Sequence, residues 1–195
     1  LVYEVNGNYY KHNEKNPIMR VFVSIEVSNK EIINSIKNFQ DSIKVDAKAI
    51  ELKNLHFTLQ FLGEISERNI QLIIQELKKI EFSKFKICLK GIGVFPNIKS
   101  PKIIWIGTDE NSSTKMIDLS KKIQKSLRTL GFTTDKSFKP HITVFRIKKK
   151  IGDIRKEMET HENINFGIQK VSSFKLKKSE LTPNGPIYSD LMEFN

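Results

Sequence analysis

The chain has 195 residues, the length of one domain or of a single domain with two lobes. It carries 33 Lys and Arg against 22 Asp and Glu, and this net charge of +11 favours polyanionic partners such as nucleic acids. Since no apolar run approaches the ~18 residues of a membrane span and a lone Cys88 excludes an internal disulfide, we expect a soluble, cytoplasmic protein without a membrane partner.

Residues 1–18 are polar, rich in Asn and without hydrophobic periodicity. Such a composition predicts a flexible extension, a tag remnant or a linker rather than part of the core. Tyr9 and Tyr10 give an alternative, in which this segment covers a groove. We therefore predict one domain over residues 19–195, preceded by the extension.

The first half of the domain begins with an alternating segment over 20–27, which predicts a strand. Asn29 is the predicted N-cap of a helix, and a strand over 55–62 follows that Gly63 is expected to stop. A second helix is predicted after Ser66. Apolar residues at helical spacing support both helices: Ile32, Ile33, Ile36, Phe39 and Ile43 in the first, and Ile70, Ile73, Ile74, Leu77 and Ile80 in the second.

The rest of the chain continues in the same style. The predicted elements are strands over 85–94 and 103–106, a helix capped by Ser112 or Ser113 and followed by Gly131, a strand over 140–147, a short helix over 151–158, and strands near 168–176 and 187–194. Each half thus has the order strand, helix, strand with His-x-Thr, helix, strand. This repetition predicts an internal duplication with approximate twofold symmetry and a cleft between the halves.

The two His-x-Thr segments are the strongest functional signal. Because side chains alternate along a strand, His56 and Thr58 share one face, as do His141 and Thr143. If a twofold relates the halves, two imidazoles and two hydroxyls meet in one small volume. A lone His or Thr on a strand is more often structural, but the repeat favours a site. His161, which lacks the pattern, is given no role, and neither is His12.

This set of groups suits the opening of a cyclic phosphate. One imidazole can deprotonate the attacking water while the other protonates the departing ribose oxygen. The threonine hydroxyls can donate to the non-bridging oxygens as their negative charge grows. No metal is required, and the sequence has no obvious carboxylate cluster to hold one.

Several segments carry a resemblance to a known family. They cover residues 19–25, 54–64, 91–96, 104–107, 138–146 and 179–188. From Met19 to about Phe194 the chain resembles the two-histidine (HxT) phosphoesterase superfamily, and within it the RNA 2′,3′-cyclic phosphodiesterases, also described as 2′-5′ RNA ligases. In that pattern Phe145 stands where a small residue is expected.

The resemblance implies an α+β fold of two pseudo-symmetric lobes, each an antiparallel sheet with outer helices, around a central cleft. It also implies hydrolysis of an RNA or nucleoside 2′,3′-cyclic phosphate to a 2′-phosphomonoester, with reverse 2′-5′ RNA ligation. His56 would be the general acid for the O3′ leaving group and His141 the general base, without cofactor. Arg146 occupies the position of a phosphate-contacting arginine. The expected partners are RNA ends or cyclic nucleotides, bound by a monomer.

Three alternatives stay open at this stage. Phe22 and Tyr188 either stack on a base or pack in the core, and Trp105 is expected in the core. The lysines at 148–150, 177 and 178 either steer RNA or are solvated. The same cleft also fits a non-catalytic nucleotide- or RNA-binding module, or an enzyme whose task is ligation or the processing of a small cyclic nucleotide.

Overall fold

The computed structural model describes residues 2–5, 8–11, 18–134, 137–149, 151–183 and 185–195. The strands are β1 Val2–Val5, β2 Asn8–Lys11, β3 Ile18–Glu26, β4 Lys48–Ala49, β5 His56–Ser66, β6 Phe85–Phe95, β7 Ile103–Thr108, β8 Ile142–Arg146, β9 Asn165–Val171, β10 Phe174–Thr182 and β11 Gly185–Phe194. The helices are α1 Lys30–Ser42, α2 Glu67–Leu77, α3 Glu110–Arg128 and α4 Arg155–Thr160, with a 3-10 turn at Leu52–Asn54. None of the described helices combines the length and the apolar character needed to cross a bilayer.

Nine strands form one antiparallel sheet in the order β11-β10-β3-β5-β8-β7-β6-β9, with β4 paired to β8. A single pair of residues, Phe57 and Ile142, joins β5 to β8 at the middle of this order. The sheet therefore consists of two four-stranded lobes, which we call lobe 1 (β11, β10, β3, β5) and lobe 2 (β8, β7, β6, β9). The predicted α+β architecture of two antiparallel lobes is confirmed.

The lobes do not coincide with the two halves of the sequence. β6 follows β5 in the chain but pairs with β7 and β9 in lobe 2. In the same way, β10 follows β9 but pairs with β3 in lobe 1. Each half of the chain thus contributes strands to both lobes, and this strand exchange fastens the halves together.

The helices also cross between the lobes. Phe39 of α1 packs against Phe145 of β8 and Phe166 of β9, with ring centroids 6.3 and 5.5 Å apart, so α1 covers lobe 2. Ser120 of α3 donates to the carbonyl of Leu59 in β5 at 3.1 Å, so α3 covers lobe 1. The apolar faces of α1, α2 and α3 are buried in this way, which leaves the opposite face of each lobe free to line a cleft.

Most predicted elements are present, with four corrections. The Asn29 side chain caps α1 by accepting from the amides of Glu31 and Ile32, as expected. Asp109, rather than Ser112 or Ser113, caps α3 and accepts from the amide of Ser112. The remaining corrections are that β5 continues past Gly63 to Ser66, that the short helix begins only at Arg155, and that the single strand expected near 168–176 is two strands, β9 and β10.

Part of the predicted N-terminal extension lies outside the described residues, namely residues 1, 6, 7 and 12–17. β1 and β2 pair with each other as an antiparallel two-stranded sheet. They are not part of the nine-stranded sheet. β3 begins at Ile18, one residue before the predicted domain boundary. The division into an extension and a domain from residue 19 stays a prediction.

Candidate active site

A cavity of about 530 Å³ lies where the two lobes meet. It is lined by Arg20, Val21, Phe22, Ile50, Asn54, His56, Thr58, Phe61, Gly63, His141, Thr143, Arg146, Ser179, Leu181, Pro186 and Tyr188. Every residue that the sequence singled out for a site is in this set. Positions more than 80 residues apart are brought together because β5 and β8 are neighbours at the centre of the sheet.

The junction of β5 and β8 fixes how the four His and Thr side chains meet. Phe57 and Ile142, which form the one bridge, are fully buried under the helices. Their neighbours on either side therefore point to the cavity. In this antiparallel register His56 lies opposite Thr143, and Thr58 lies opposite His141. The predicted grouping of two imidazoles and two hydroxyls in one volume follows from this register between β5 and β8.

The two imidazoles are held in the same way. His56 Nδ1 lies 2.7 Å from the carbonyl oxygen of Asn54, and His141 Nδ1 lies 2.7 Å from that of Lys139. A carbonyl only accepts, so Nδ1 carries the hydrogen in both rings. Nε2 is left as the nitrogen that can exchange a proton. The carbonyl two residues before each histidine thus sets its tautomer and its orientation.

Burial also sets the charge of both rings. It lowers the pKa of His56 to about 4, against which the bond to the Asn54 carbonyl acts in the opposite direction. Burial lowers the pKa of His141 as well, with the Lys139 carbonyl opposing it. Both imidazoles are therefore neutral near pH 7 in the protein alone, and an anion beside Nε2 would favour the protonated ring.

A β-bulge after each His-x-Thr turns one more side chain into the cavity. Leu59 in β5 and Val144 in β8 are the extra residues, as the register with β3 and β7 shows. Because of these bulges, the fifth residue after each histidine faces the cavity. That residue is Phe61 in lobe 1 and Arg146 in lobe 2. The twofold-related positions thus differ in chemistry, with an exposed aromatic ring on one side and a guanidinium on the other.

Phe61 is the residue that sequence reasoning missed. Its side chain is 76% exposed, whereas Phe22, which was singled out for stacking, is only 3% exposed. The Phe22 ring lies beneath its neighbours, with centroids 5.1 Å from His56, 5.2 Å from Tyr188 and 6.1 Å from Phe61. Phe22 therefore supports the cavity floor and offers little ring surface of its own. The spacing that Phe61 shares with Arg146, five residues after a His-x-Thr histidine, is the signal that could have indicated it.

Trp105 lies on the cavity side of lobe 2 rather than in the core, so that prediction was wrong. Its strand neighbours Ile104 and Ile106 are fully buried, while Trp105 pairs with Thr143. Its ring lies over Gly93, where any Cβ would come within 2.2 Å of the indole. Trp105 and Phe95 pack beside His141, with centroids 6.4 and 5.1 Å away.

The remaining predictions concern charge. Lys177 is not solvated but is buried in ion pairs with Glu26 and Asp190, and Lys178 pairs with Glu180. Lys148 and Lys149 are exposed, and residue 150 lies outside the described residues.

Phe145 is buried on the helix side of β8, so this large side chain does not crowd Arg146. In the described part of the chain, no three His, Cys, Asp or Glu side chains are grouped to hold a metal ion.

Comparison with known proteins identifies the family. The family model described as the AKAP7 2′5′ RNA ligase-like domain matches residues 20–193. The chain is 39% identical over 178 residues to the RNA 2′,3′-cyclic phosphodiesterase of Archaeoglobus fulgidus, covering 90% of this chain and 99% of that protein. It is 36% identical over 182 residues to the RNA 2′,3′-cyclic phosphodiesterase of Methanocaldococcus jannaschii, covering 90% and 100%.

Solved structures show the same fold. The crystal structure of TT0787 from Thermus thermophilus matches with a TM-score of 0.75 at 26% identity, over 90% of this chain and 97% of that one. E. coli LigT in its apo form matches with a TM-score of 0.75 at 22% identity, over 91% and 96%. By its sequence, its fold and its paired His-x-Thr strands, the chain belongs to the RNA 2′,3′-cyclic phosphodiesterase and 2′-5′ RNA ligase-like family.

Proposed function

We propose that the protein hydrolyses the 2′,3′-cyclic phosphate of an RNA end or nucleotide to a 2′-phosphomonoester. The observation that carries this proposal is the pair of imidazoles in one cavity, each bonded through Nδ1 to a carbonyl so that Nε2 is available. The relatives named as RNA 2′,3′-cyclic phosphodiesterases support the same reaction. A pure binding site has no need of two matched proton-exchanging groups.

The proposed reaction is a single displacement at phosphorus. His141 Nε2 takes a proton from water, the water oxygen bonds to phosphorus, and the bond from phosphorus to O3′ breaks. His56 gives its proton to O3′, which leaves as the free hydroxyl. His56 must therefore be protonated before the reaction. The negatively charged substrate favours this state, because an adjacent anion raises the pKa of an imidazole. The proton balance is restored by exchange with solvent.

The other polar groups of the cavity would hold the phosphate. Thr58 and Thr143 lie beside the two imidazoles and can donate to the non-bridging oxygens. Arg146 adds a guanidinium, which suits phosphate oxygens in both charge and geometry. If a 5′-hydroxyl of a second RNA takes the place of water, the same displacement joins the two ends through a 2′-5′ linkage.

We assign base stacking to Phe61, and the ring of Tyr188 also lines the cavity. We expect Phe61→Ala to raise KM for a cyclic nucleotide roughly tenfold with little change in kcat, because stacking on an aromatic ring is worth about 1–3 kcal/mol per base. Steady-state kinetics would measure this. Leu72→Ala removes another exposed apolar side chain, on α2 and outside the cavity, and is the matched control. An unchanged KM in Phe61→Ala would refute the assignment.

The test of the proposed function is hydrolysis of a 2′,3′-cyclic nucleotide and of an RNA with a cyclic phosphate end, in saturating EDTA. We expect turnover to the 2′-phosphate isomer without added metal. Activity that EDTA removes and added zinc or magnesium restores would refute the metal-independent reaction. Binding of both substrates without any turnover would favour the binding module. A cytoplasmic location and a monomeric state stay predictions.

A further inference from the structure

Four charged side chains form a closed ring on the cavity side of lobe 1, and we call Glu26, Lys175, Lys177 and Asp190 the charge ring. Lys175 Nζ lies 2.6 Å from Glu26 and 2.6 Å from Asp190. Lys177 Nζ lies 2.7 Å from Asp190 and also bonds Glu26. Each lysine therefore contacts both carboxylates, and the four charges sum to zero. The Lys177 side chain is only 8% exposed.

The charge ring lies next to His56. Glu26 of β3 is the cross-strand partner of His56 in β5, and such partners share a face with Cβ atoms about 4.5–5.5 Å apart. The charged and titratable groups near this imidazole are Glu26 (β3), Lys175 and Lys177 (β10), Tyr188 and Asp190 (β11), Arg146 (β8) and, across the cavity, His141. Glu26 is the nearest carboxylate to the ring in strand register, and both of its oxygens are taken by lysines.

A carboxylate beside an imidazole would normally favour the imidazolium. Here burial opposes the ionisation of Glu26, but the bonds to Lys175 and Lys177 outweigh it and keep the pKa of Glu26 below its ordinary value. Glu26 is thus an anion whose charge is cancelled locally. Lys177 acts on His56 in the opposite direction from Glu26 and disfavours its protonation. Removing the Lys177 charge would leave the four-residue group with a net charge of −1 beside His56.

We propose that Lys177 is a positioning residue of this active site, which acts by holding Glu26 in the charge ring and so sets the pH range in which His56 exchanges its proton. The proposal rests on the function proposed above for its relevance to catalysis. It does not depend on turnover for its test. A buried ion-pair network is weak evidence for added stability. The position of the charge ring beside His56 instead supports a role in controlling the protonation of that imidazole.

The direct test is an NMR titration of the histidine rings without substrate, with the His56 signal assigned by its loss in His56→Gln. We expect Lys177→Met to raise the titration midpoint of His56 by about one pH unit. β10 lies two strands from β5, which is about 10 Å, and one charge at that distance near a protein surface has an effect of this size. Glu26→Gln should lower it. The double variant, whose remaining pair again sums to zero, should return near the parent value.

Lys178→Met is the matched control, because Lys178 is the next residue of β10, points to the other side of the strand and pairs with Glu180. It should leave the His56 midpoint unchanged. Lys177→Gln keeps a donor without the charge and replaces Lys177→Met if that variant does not fold. A folded Lys177 variant with an unmoved midpoint, or a double variant that does not return, would overturn the proposal.

The pH–rate profile separates this proposal from the function itself. The limb that belongs to His56 should move with its midpoint in Lys177→Met, while the other limb stays in place, because kcat/KM reports the pKa values of the free enzyme. A purely structural role would lower the rate at every pH without moving a limb. If the protein hydrolyses nothing, the NMR midpoint still decides the role of Lys177.

Discussion

Replacement of His56 or His141 by alanine is expected to lower kcat for hydrolysis of a 2′,3′-cyclic nucleotide by roughly 10²–10⁴-fold, the usual share of general acid–base catalysis. Each ring is the only imidazole on its side of the cavity, within the described residues. The double variant should lose little more than the worse single variant, because groups that act in one step are not additive. Initial rates at saturating substrate would measure all three.

His161→Ala is the matched control for these substitutions. His161 also bonds a carbonyl through Nδ1, at 2.9 Å from Glu157, but packs against Phe39 and lies outside the cavity. Its kcat should match that of the parent protein. Circular dichroism and thermal unfolding would establish that the His56 and His141 variants fold. A folded variant at either position that keeps more than a tenth of the parent rate would contradict the assigned pair.

Arg146→Ala is expected to lower kcat/KM by about 10²-fold, the usual effect of removing one donor that stabilises charge developing in the transition state. Arg146→Lys should recover only part of the loss, because an ammonium cannot bond two phosphate oxygens in the planar arrangement of a guanidinium. The Arg146 side chain is exposed, so neither change should unfold the protein. Steady-state kinetics on a cyclic nucleotide would measure both.

Arg155→Ala supplies the control for charge alone. Arg155 pairs with Asp153 on the surface and does not line the cavity, so its loss should leave kcat/KM unchanged. Equal small losses in the Arg146 and Arg155 variants would show that Arg146 acts only through the general positive field of the protein, and would remove it from the phosphate site.

The sequence was sufficient to predict which side chains share the cavity in the regular part of each strand. Strict alternation placed His56 with Thr58 and His141 with Thr143, and the structure has both pairs on the cavity side. Alternation fails at the bulges. It would place Phe61 on the core side, together with Phe57, whereas the extra residue reverses the direction of the side chains that follow.

Arg146 shows the same limit from the other lobe. Alternation would place it on the buried side of β8, and only the family resemblance pointed to the cavity, where it lies. The strand exchange was beyond prediction for a related reason. Hydrophobic periodicity reports which face of a strand is buried, but it does not report which strand lies alongside.

Lys177 illustrates what composition hides. In a chain rich in lysine, a lysine beside another lysine is expected on a solvated surface. Its burial depends on Glu26 and Asp190, which are distant in sequence and reach it only because β3 and β11 flank β10. No local pattern marks such a residue, since its partners are set by the arrangement of strands.

The exchange of β6 and β10 between the lobes has a consequence for how the chain can fold. A fragment that ends after β6 has β3 and β5 of one lobe and a lone strand of the other, so it lacks the neighbours that either sheet requires. Two such fragments, however, could complete one another, each lending its last strand to its partner. The present chain supplies both halves in one polypeptide, and the long-range pairings that join them should make folding slow.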